Sequence, residues 1–343
     1  MTKMKRMTLF LLRCSTVVVL YLGCGKNPFD ASGGSRDVPE NLKIAFIGDQ
    51  GYGANGRAVL ALIKNEGADL VMHQGDFDYN DDPAAWDAQI NDVLGADFPY
   101  FASVGNHDEA KWSGTNGYQQ FLKNRLNRLG ITWQGDLGVK STIKYKGIFM
   151  VFVAPGTMGS GHDVYIREQL AADNSIWSIC SWHKNMRDMQ VGGKSDETGW
   201  GVYEAAREGG AIIATAHEHS YSRTHLLSSI SNQTVASQSN TLIINKGKTF
   251  VFVSGLGGQS IRDQTRSGNW WASVYSSTQG ANYGALFGTF NADGSPNLAT
   301  FYFKDIKGNT VDRFVVQSEV EGGVAASMNR ATSLLLNFFW KIF

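Results

Sequence analysis

Cysteine is nearly absent from this chain. Three residues in 343, Cys14, Cys24 and Cys180, cannot build a disulfide framework. The fold must therefore rest on burial, which a chain of this length can supply without covalent staples. Net charge is missing as well. The 31 basic side chains meet 31 acidic ones, and that balance leaves no electropositive field of the kind that draws a chain to nucleic acid. No apolar run reaches the ~20 residues that a spanning helix needs. Internal repeats and low-complexity blocks are missing too, which leaves out solenoid and array architectures.

The two ends differ from the middle. The first 23 residues hold Lys3, Lys5, Arg6 and Arg13 but no acid, and run through Val17-Val18-Val19-Leu20-Tyr21-Leu22 to Gly23-Cys24, the layout of an export signal. Leu22-Gly23-Cys24 resembles a bacterial lipoprotein signal, which implies lipidation of Cys24, although Tyr21 and Leu22 depart from the usual pattern. Residues 1–24 thus read as a signal, 25–40, with Pro28, Gly33, Gly34 and Pro39, as a linker, 41–318 as a catalytic domain and 319–343 as a tail. The apolar end of the tail, Leu334 to Phe343, suits a docked or membrane-surface helix, and with the small residues at 322–327 it also resembles a GPI-attachment signal. The expected location is outside the cytoplasm, periplasmic or anchored at the cell surface. Oligomeric state is left open.

Inside the body, the spacing predicts a strand at Leu42–Ile47 that turns out through Gly48-Asp49-Gln50-Gly51. A helix through Arg57, Leu60 and Ile63 then stops at Gly67, and Leu70-Val71-Met72 leads to Gly75-Asp76-Phe77-Asp78-Tyr79. Asp82-Pro83 opens a second helix, and a strand from Tyr100 to Val104 delivers Gly105-Asn106-His107-Asp108. Three successive strands with oxygen-bearing exits place those oxygens along the C-terminal edge of one sheet. A helix from Tyr118 to Leu129 precedes a β-rich half. There the strand 147–153 exits into a glycine-rich loop, 155–163, carrying His162. The strand 176–182 ends at His183, and 210–216 ends at His217-Glu218-His219. Later strands are expected at 249–253, 286–290, 299–303 and 312–316, the last pair joined at Lys307-Gly308-Asn309.

Asp49, Asp76, Tyr79, Asn106, His183, His217 and His219 all fall at or just after strand ends. Carboxylate, phenol, amide and imidazole form a mixed hard set suited to iron, manganese or zinc and poorly suited to calcium or cuprous ion. Seven groups exceed the needs of one open catalytic ion. They suit two ions bridged by a carboxylate, the arrangement that clamps attacking and leaving oxygens in phosphoryl displacement.

In this order the motifs resemble those of the calcineurin-like metallophosphoesterases across residues 42–317. Tyr79 and Tyr221-Ser222-Arg223 are similar to the purple acid phosphatase branch. The resemblance implies an α/β (α+β) fold, a four-layer αββα sandwich of two mixed β-sheets with the metal site at the strand C-terminal edge. It implies that Asp49, Tyr79 and His219 hold the first ion, typically ferric, that Asn106, His183 and His217 hold the second, and that Asp76 bridges. The pair would be iron with iron, zinc or manganese. His107 would contact substrate and protonate the leaving oxygen, oriented by Asp108, while a metal-bound hydroxide attacks phosphorus in line. The partner is then a small phosphate ester.

Two departures alter the expectation: Ala216 stands where the family has glycine, and Lys184-Asn185-Met186 follows His183 where proline and aromatic residues are usual. Phosphomonoesterase, phosphodiesterase or nucleotidase, and a metal-holding surface protein without turnover all remain open. A Gly-Asp-Ser esterase is disfavoured because Gln50 occupies the nucleophile's place. His73 is expected behind the ligands, His162 near substrate and His225 in a structural role. Arg187, Lys194, Arg262 and Arg266 are either anion receivers or solvated charges. Gly255-Leu256-Gly257-Gly258 resembles a family loop near the site.

Overall fold

Leu, Ile, Ala and Phe run almost without interruption through the strand Leu42–Ile47, a composition that fits only a strand covered on both faces, and it is buried along nearly its whole length. The structure, a computed structural model, describes residues 38–320. The export signal, Cys14, Cys24, nearly all of the linker and the apolar tail lie outside the described residues. Leu70–His73 pairs parallel with one side of Leu42–Ile47 and Tyr100–Ala102 continues that side. Gly284–Phe290 pairs antiparallel with the other side, where Leu298–Asp305, Thr310–Ser318 and Thr241–Ile244 complete a seven-stranded mixed sheet. A second mixed sheet of eight strands has a parallel centre formed by Ile148–Val153, Ser178–Ser181, Ile212–Thr215 and Val251–Ser254.

The sheets face each other. Phe46 meets Phe252 edge-on at 5.2 Å and Tyr221 stacks on Phe303 at 4.3 Å, pairs worth about 1 kcal/mol each beyond their buried area. Ser103 and Ser254 hydroxyls donate across the gap to the carbonyls of Ser181 and Phe46, each at 2.8 Å. Helices Ala54–Asn65, Pro83–Val93 and Tyr118–Arg128 cover the first sheet, and His162–Ala172 and Trp200–Gly209 cover the second. This is the four-layer αββα arrangement. Among the described residues, no helix is long and apolar enough to cross a membrane.

Local signals hold where they are strongest. Asp82 caps its helix by accepting from the Ala85 N–H at 3.0 Å, with Pro83 in the first turn. Asn309 closes the last hairpin onto Asp305, with Gly308 at φ 89°. The expected loop around His162 is corrected: Gly161, at φ 69°, ends the loop, and His162 begins an eleven-residue helix. Trp200–Gly209 also escapes a sequence reading, because its glycines lower helix propensity. The strand Lys140–Tyr145 escapes because lysine, serine and threonine blur its alternation.

Candidate metal centre

The parallel strands of the first sheet end side by side, and their exits deliver Asp49, Asp76 and Asn106 to one edge. In the second sheet the neighbouring strands Ser178–Ser181 and Ile212–Thr215 deliver His183 and His217-Glu218-His219 to the edge opposite. To bring its side chains inward the backbone takes a left-handed turn at four of these positions: Asp49 (φ 55°), Asp76 (φ 61°), Tyr79 (φ 61°) and His217 (φ 67°). Such conformations are uncommon outside glycine and cost about 1–3 kcal/mol each, and they gather at functional sites. Glycines make the close approach possible. A Cβ on Gly105 would lie 2.2 Å from both the amide nitrogen and Oδ1 of Asp76. One on Gly48 would lie 2.3 Å from Cβ of Ala216, so the alanine before the His-x-His motif fits because position 48 carries no side chain.

Six of the seven candidate ligands lie in two connected groups, with Asn106 beside them. Tyr79 donates its hydroxyl to Asp49 Oδ1 at 2.9 Å and lies 3.1 Å from Nε2 of His219, which is itself 3.4 Å from Asp49 Oδ1. Asp76 Oδ2 is 3.2 Å from Nε2 of His183, whose ring is 3.0 Å from Nδ1 of His217. Donor atoms of Asp76, His183 and His217 all fall within 4.8 Å of one another. The amide oxygen of Asn106 is buried and has no hydrogen-bond partner among the described residues.

Hydrogen bonding fixes how each imidazole faces the centre. Nδ1 of His183 can only donate to the Gln74 carbonyl at 2.7 Å, and Nδ1 of His219 donates to the Ser260 carbonyl at 3.0 Å, so both rings turn Nε2 inward. His217 is reversed: its Nε2 donates to Glu197 Oε2 at 2.9 Å and its Nδ1 faces His183. Each ring thus has an outer partner that sets its tautomer and turns the other nitrogen inward, towards a carboxylate oxygen for His183 and His219 and towards His183 for His217, a pattern that fits a cation. Without a cation, the Asp76 carboxylate favours protonation of His183 instead. Burial pushes the pKa of His183 down, but the Asp76 carboxylate outweighs it and lifts the group to about 9. Burial also opposes ionisation of Asp49, yet His219, His183 and His217 hold its carboxyl well below the usual range. The donor set therefore fits hard metal ions.

Asp108 works differently from the expectation. Its two oxygens accept from the backbone N–H groups of Asp76 (2.9 Å), Phe77 (2.8 Å) and Gly105 (2.7 Å), tying together the two turns that carry Asp76 and Asn106. His107 is exposed, its ring 4.5 Å from that of Tyr79, and among the described residues its imidazole has no hydrogen-bond partner. Asp108 is thus a clamp on the ligand turns and does not orient His107. The backbone N–H of His107 donates to Asp76 Oδ1 at 2.9 Å.

The remaining histidines stand apart. His73 accepts from the Gly75 N–H at 3.1 Å and packs against Phe77, and burial pushes its pKa down to about 3. His162 lines a cavity of about 400 Å³ beside Gly156 and Thr198, and His225 lies beyond the Tyr221–Thr224 strand. The Gly255 to Gly258 loop does border the centre, since a Cβ on Gly255 would sit 2.7 Å from Asp49 Oδ2.

Three groups that sequence reasoning passed over hold the histidines: the carbonyls of Gln74 and Ser260, and Glu197. Backbone carbonyls leave no trace in a sequence, and Glu197 lies in an irregular loop with no period to single it out. Glu197→Ala is expected to weaken binding of the ion at His217 by roughly 10–100-fold, read by metal titration of the stripped protein.

The calcineurin-like phosphoesterase family profile matches residues 42–221. Among solved structures, a purple acid phosphatase from seeds of yellow lupin (Lupinus luteus) aligns with 17% identity and a TM-score of 0.58, over 80% of this chain and 53% of that one. The chain therefore spans about half the length of the lupin enzyme, and at this identity the likeness is one of fold. A structure of PhoD aligns at 11% identity with a TM-score of 0.48, over 82% of this chain and 73% of that one. No curated protein matches the sequence.

Proposed function

Because the chain belongs to the calcineurin-like phosphoesterase family, we propose that it is an exported, dinuclear metal-dependent phosphatase of the purple acid phosphatase-like branch, hydrolysing small phosphate monoesters. The observation that carries this reading is the pair of ligand groups on facing sheet edges, with the unpartnered Asn106 oxygen and three imidazoles turned inward by outer partners.

Asp49, Tyr79 and His219 would hold one ion and Asn106, His183 and His217 the other, with Asp76 between them; iron with iron, zinc or manganese suits these donors. When bound, such a pair neutralises phosphoryl oxygens and lowers the pKa of water. The chain's own residues supply the rest. Asp108 fixes the turns of Asp76 and Asn106 through three backbone bonds, and Glu197 holds His217 in one tautomer. His107, exposed at the rim beside Tyr79, is free to reach a bound ester and pass a proton to the leaving oxygen. Attachment to a membrane through Cys24 or the tail belongs to the same proposal.

The test is turnover of aryl phosphate mono- and diesters by purified protein, with elemental analysis and a visible spectrum of the same sample. Monoester hydrolysis, two ions per chain and a tyrosinate-to-iron absorption lost in Tyr79→Phe are expected. A protein with no turnover in any metal form would refute the reading. A colourless zinc or manganese enzyme would instead remove it from the purple branch.

A further inference from the structure

The loop between His183 and the helix Trp200–Gly209 is the part of the site wall that departs from the family pattern, and it places a lysine against the centre. Nζ of Lys194 lies 2.9 Å from Nε2 and 3.1 Å from Nδ1 of His217. This half-buried ammonium forms no ion pair among the described residues, and the nearby carboxylates of Glu197 and Asp49 are bonded elsewhere. Glu197 bonds His217 and faces Lys184 at 3.6 Å, Asp49 bonds the His217 N–H and Tyr79, and Glu218 faces Arg262 at 3.7 Å.

A second cation reaches the same histidine. Nη1 of Arg262 donates to the His217 carbonyl at 3.3 Å. The two cationic loops are stitched together, with the Thr265 and Arg266 N–H groups donating to the Val191 carbonyl at 2.8 and 3.0 Å and Arg266 Nη1 donating to the Lys194 carbonyl at 2.6 Å. Nη1 of Arg266 is thereby taken up by backbone, whereas the Lys194 ammonium has only an imidazole against it among the described residues. Two like charges held on one flank of a histidine are stabilised by an anion that comes to lie between them.

We propose that Lys194, with Arg262 beside it, selects phosphate monoesters over diesters, by meeting the extra negative charge that a monoester phosphoryl group carries near neutral pH and a diester lacks. This rests on the phosphatase reading above and adds to it the residues that set ester class.

The experiment compares Lys194→Met and Lys194→Arg with the wild type on 4-nitrophenyl phosphate and bis(4-nitrophenyl) phosphate. Inorganic phosphate affinity of the metal-loaded proteins is measured by calorimetry, and metal content in parallel. The ratio of kcat/KM for monoester over diester is expected to fall at least tenfold in Lys194→Met, through the monoester KM, and to be largely restored in Lys194→Arg. Phosphate affinity should fall with it while metal content stays at the wild-type level. Equal losses on both esters, undiminished phosphate affinity or loss of metal would each overturn the assignment. The phosphate arm needs no turnover, so it stands or falls separately from the phosphatase reading.

Discussion

Asp76→Ala should, on the dinuclear phosphatase reading proposed above, abolish nearly all activity, by on the order of 10³-fold or more in kcat, and reduce bound metal from two ions towards one. Asp76 lies between the strand exits of the two sheets: Oδ2 faces His183, Oδ1 accepts from the His107 N–H, and its own N–H is held by Asp108. A two-metal centre contributes several kcal/mol of charge stabilisation that depends on both ions being in place, and each 1.36 kcal/mol is a factor of ten in rate. Elemental analysis and turnover measured on one sample check it together. A variant that keeps both ions and more than a tenth of the activity would show that Asp76 does not bridge. Because Asp76 itself sits at φ 61°, replacing it with alanine adds strain, so Asp76→Asn, which tolerates that conformation better, separates lost charge from lost fold.

The second large effect is on stability. Gly105→Ala should destabilise the protein by about 3 kcal/mol, since a methyl group there would lie 2.2 Å from the Asp76 amide nitrogen and from Oδ1, in a turn already clamped by Asp108. In a domain of this size that is a drop of roughly 6–12 °C in Tm. Metal binding should weaken with it, because the turn cannot move without moving Asp76. Gly193→Ala is the control. It has nothing within 4 Å of the added methyl and no left-handed φ, and should stay within about 0.5 kcal/mol of the wild type. Thermal unfolding of both variants without metal distinguishes the fold effect from the ligand effect. Equal Tm values for the two would refute the steric account.

Much of this centre could be read before any coordinates, for a physical reason. Parallel strands must expose their exits on one edge, and a chain that turns sharply there needs glycine, so Gly48-Asp49, Gly75-Asp76 and Gly105-Asn106 announce both the turn and the ligand. The long apolar strands were visible for the same reason that they are buried. What stayed hidden depends on direction in space. His107 and Asp108 adjoin in sequence and suggest a pair, yet in the turn one faces solvent and the other the backbone beneath Asp76. Lys194 stayed open between anion receiver and solvated charge, because nothing local told that its loop folds back over His217. The glycine-broken helix Trp200–Gly209 and the polar hairpin from Leu226–Ser229 to Thr234–Ser237 owe their place to tertiary packing rather than propensity.

The splitting of the ligands between two sheets also ties the centre to the completeness of the fold. Asp49, Asp76, Tyr79 and Asn106 belong to the first half of the chain, His183, His217 and His219 to the second, and the bond from the His217 N–H to Asp49 joins residues 168 positions apart. Such distant contacts carry a large loop-closure cost, and the first sheet bears one too, since Leu42 pairs with Phe290. The centre is therefore a proofreader of assembly. A chain that has built only one sheet owns half a socket, and on the two-ion reading proposed above the ions would be captured only by molecules in which both halves have closed.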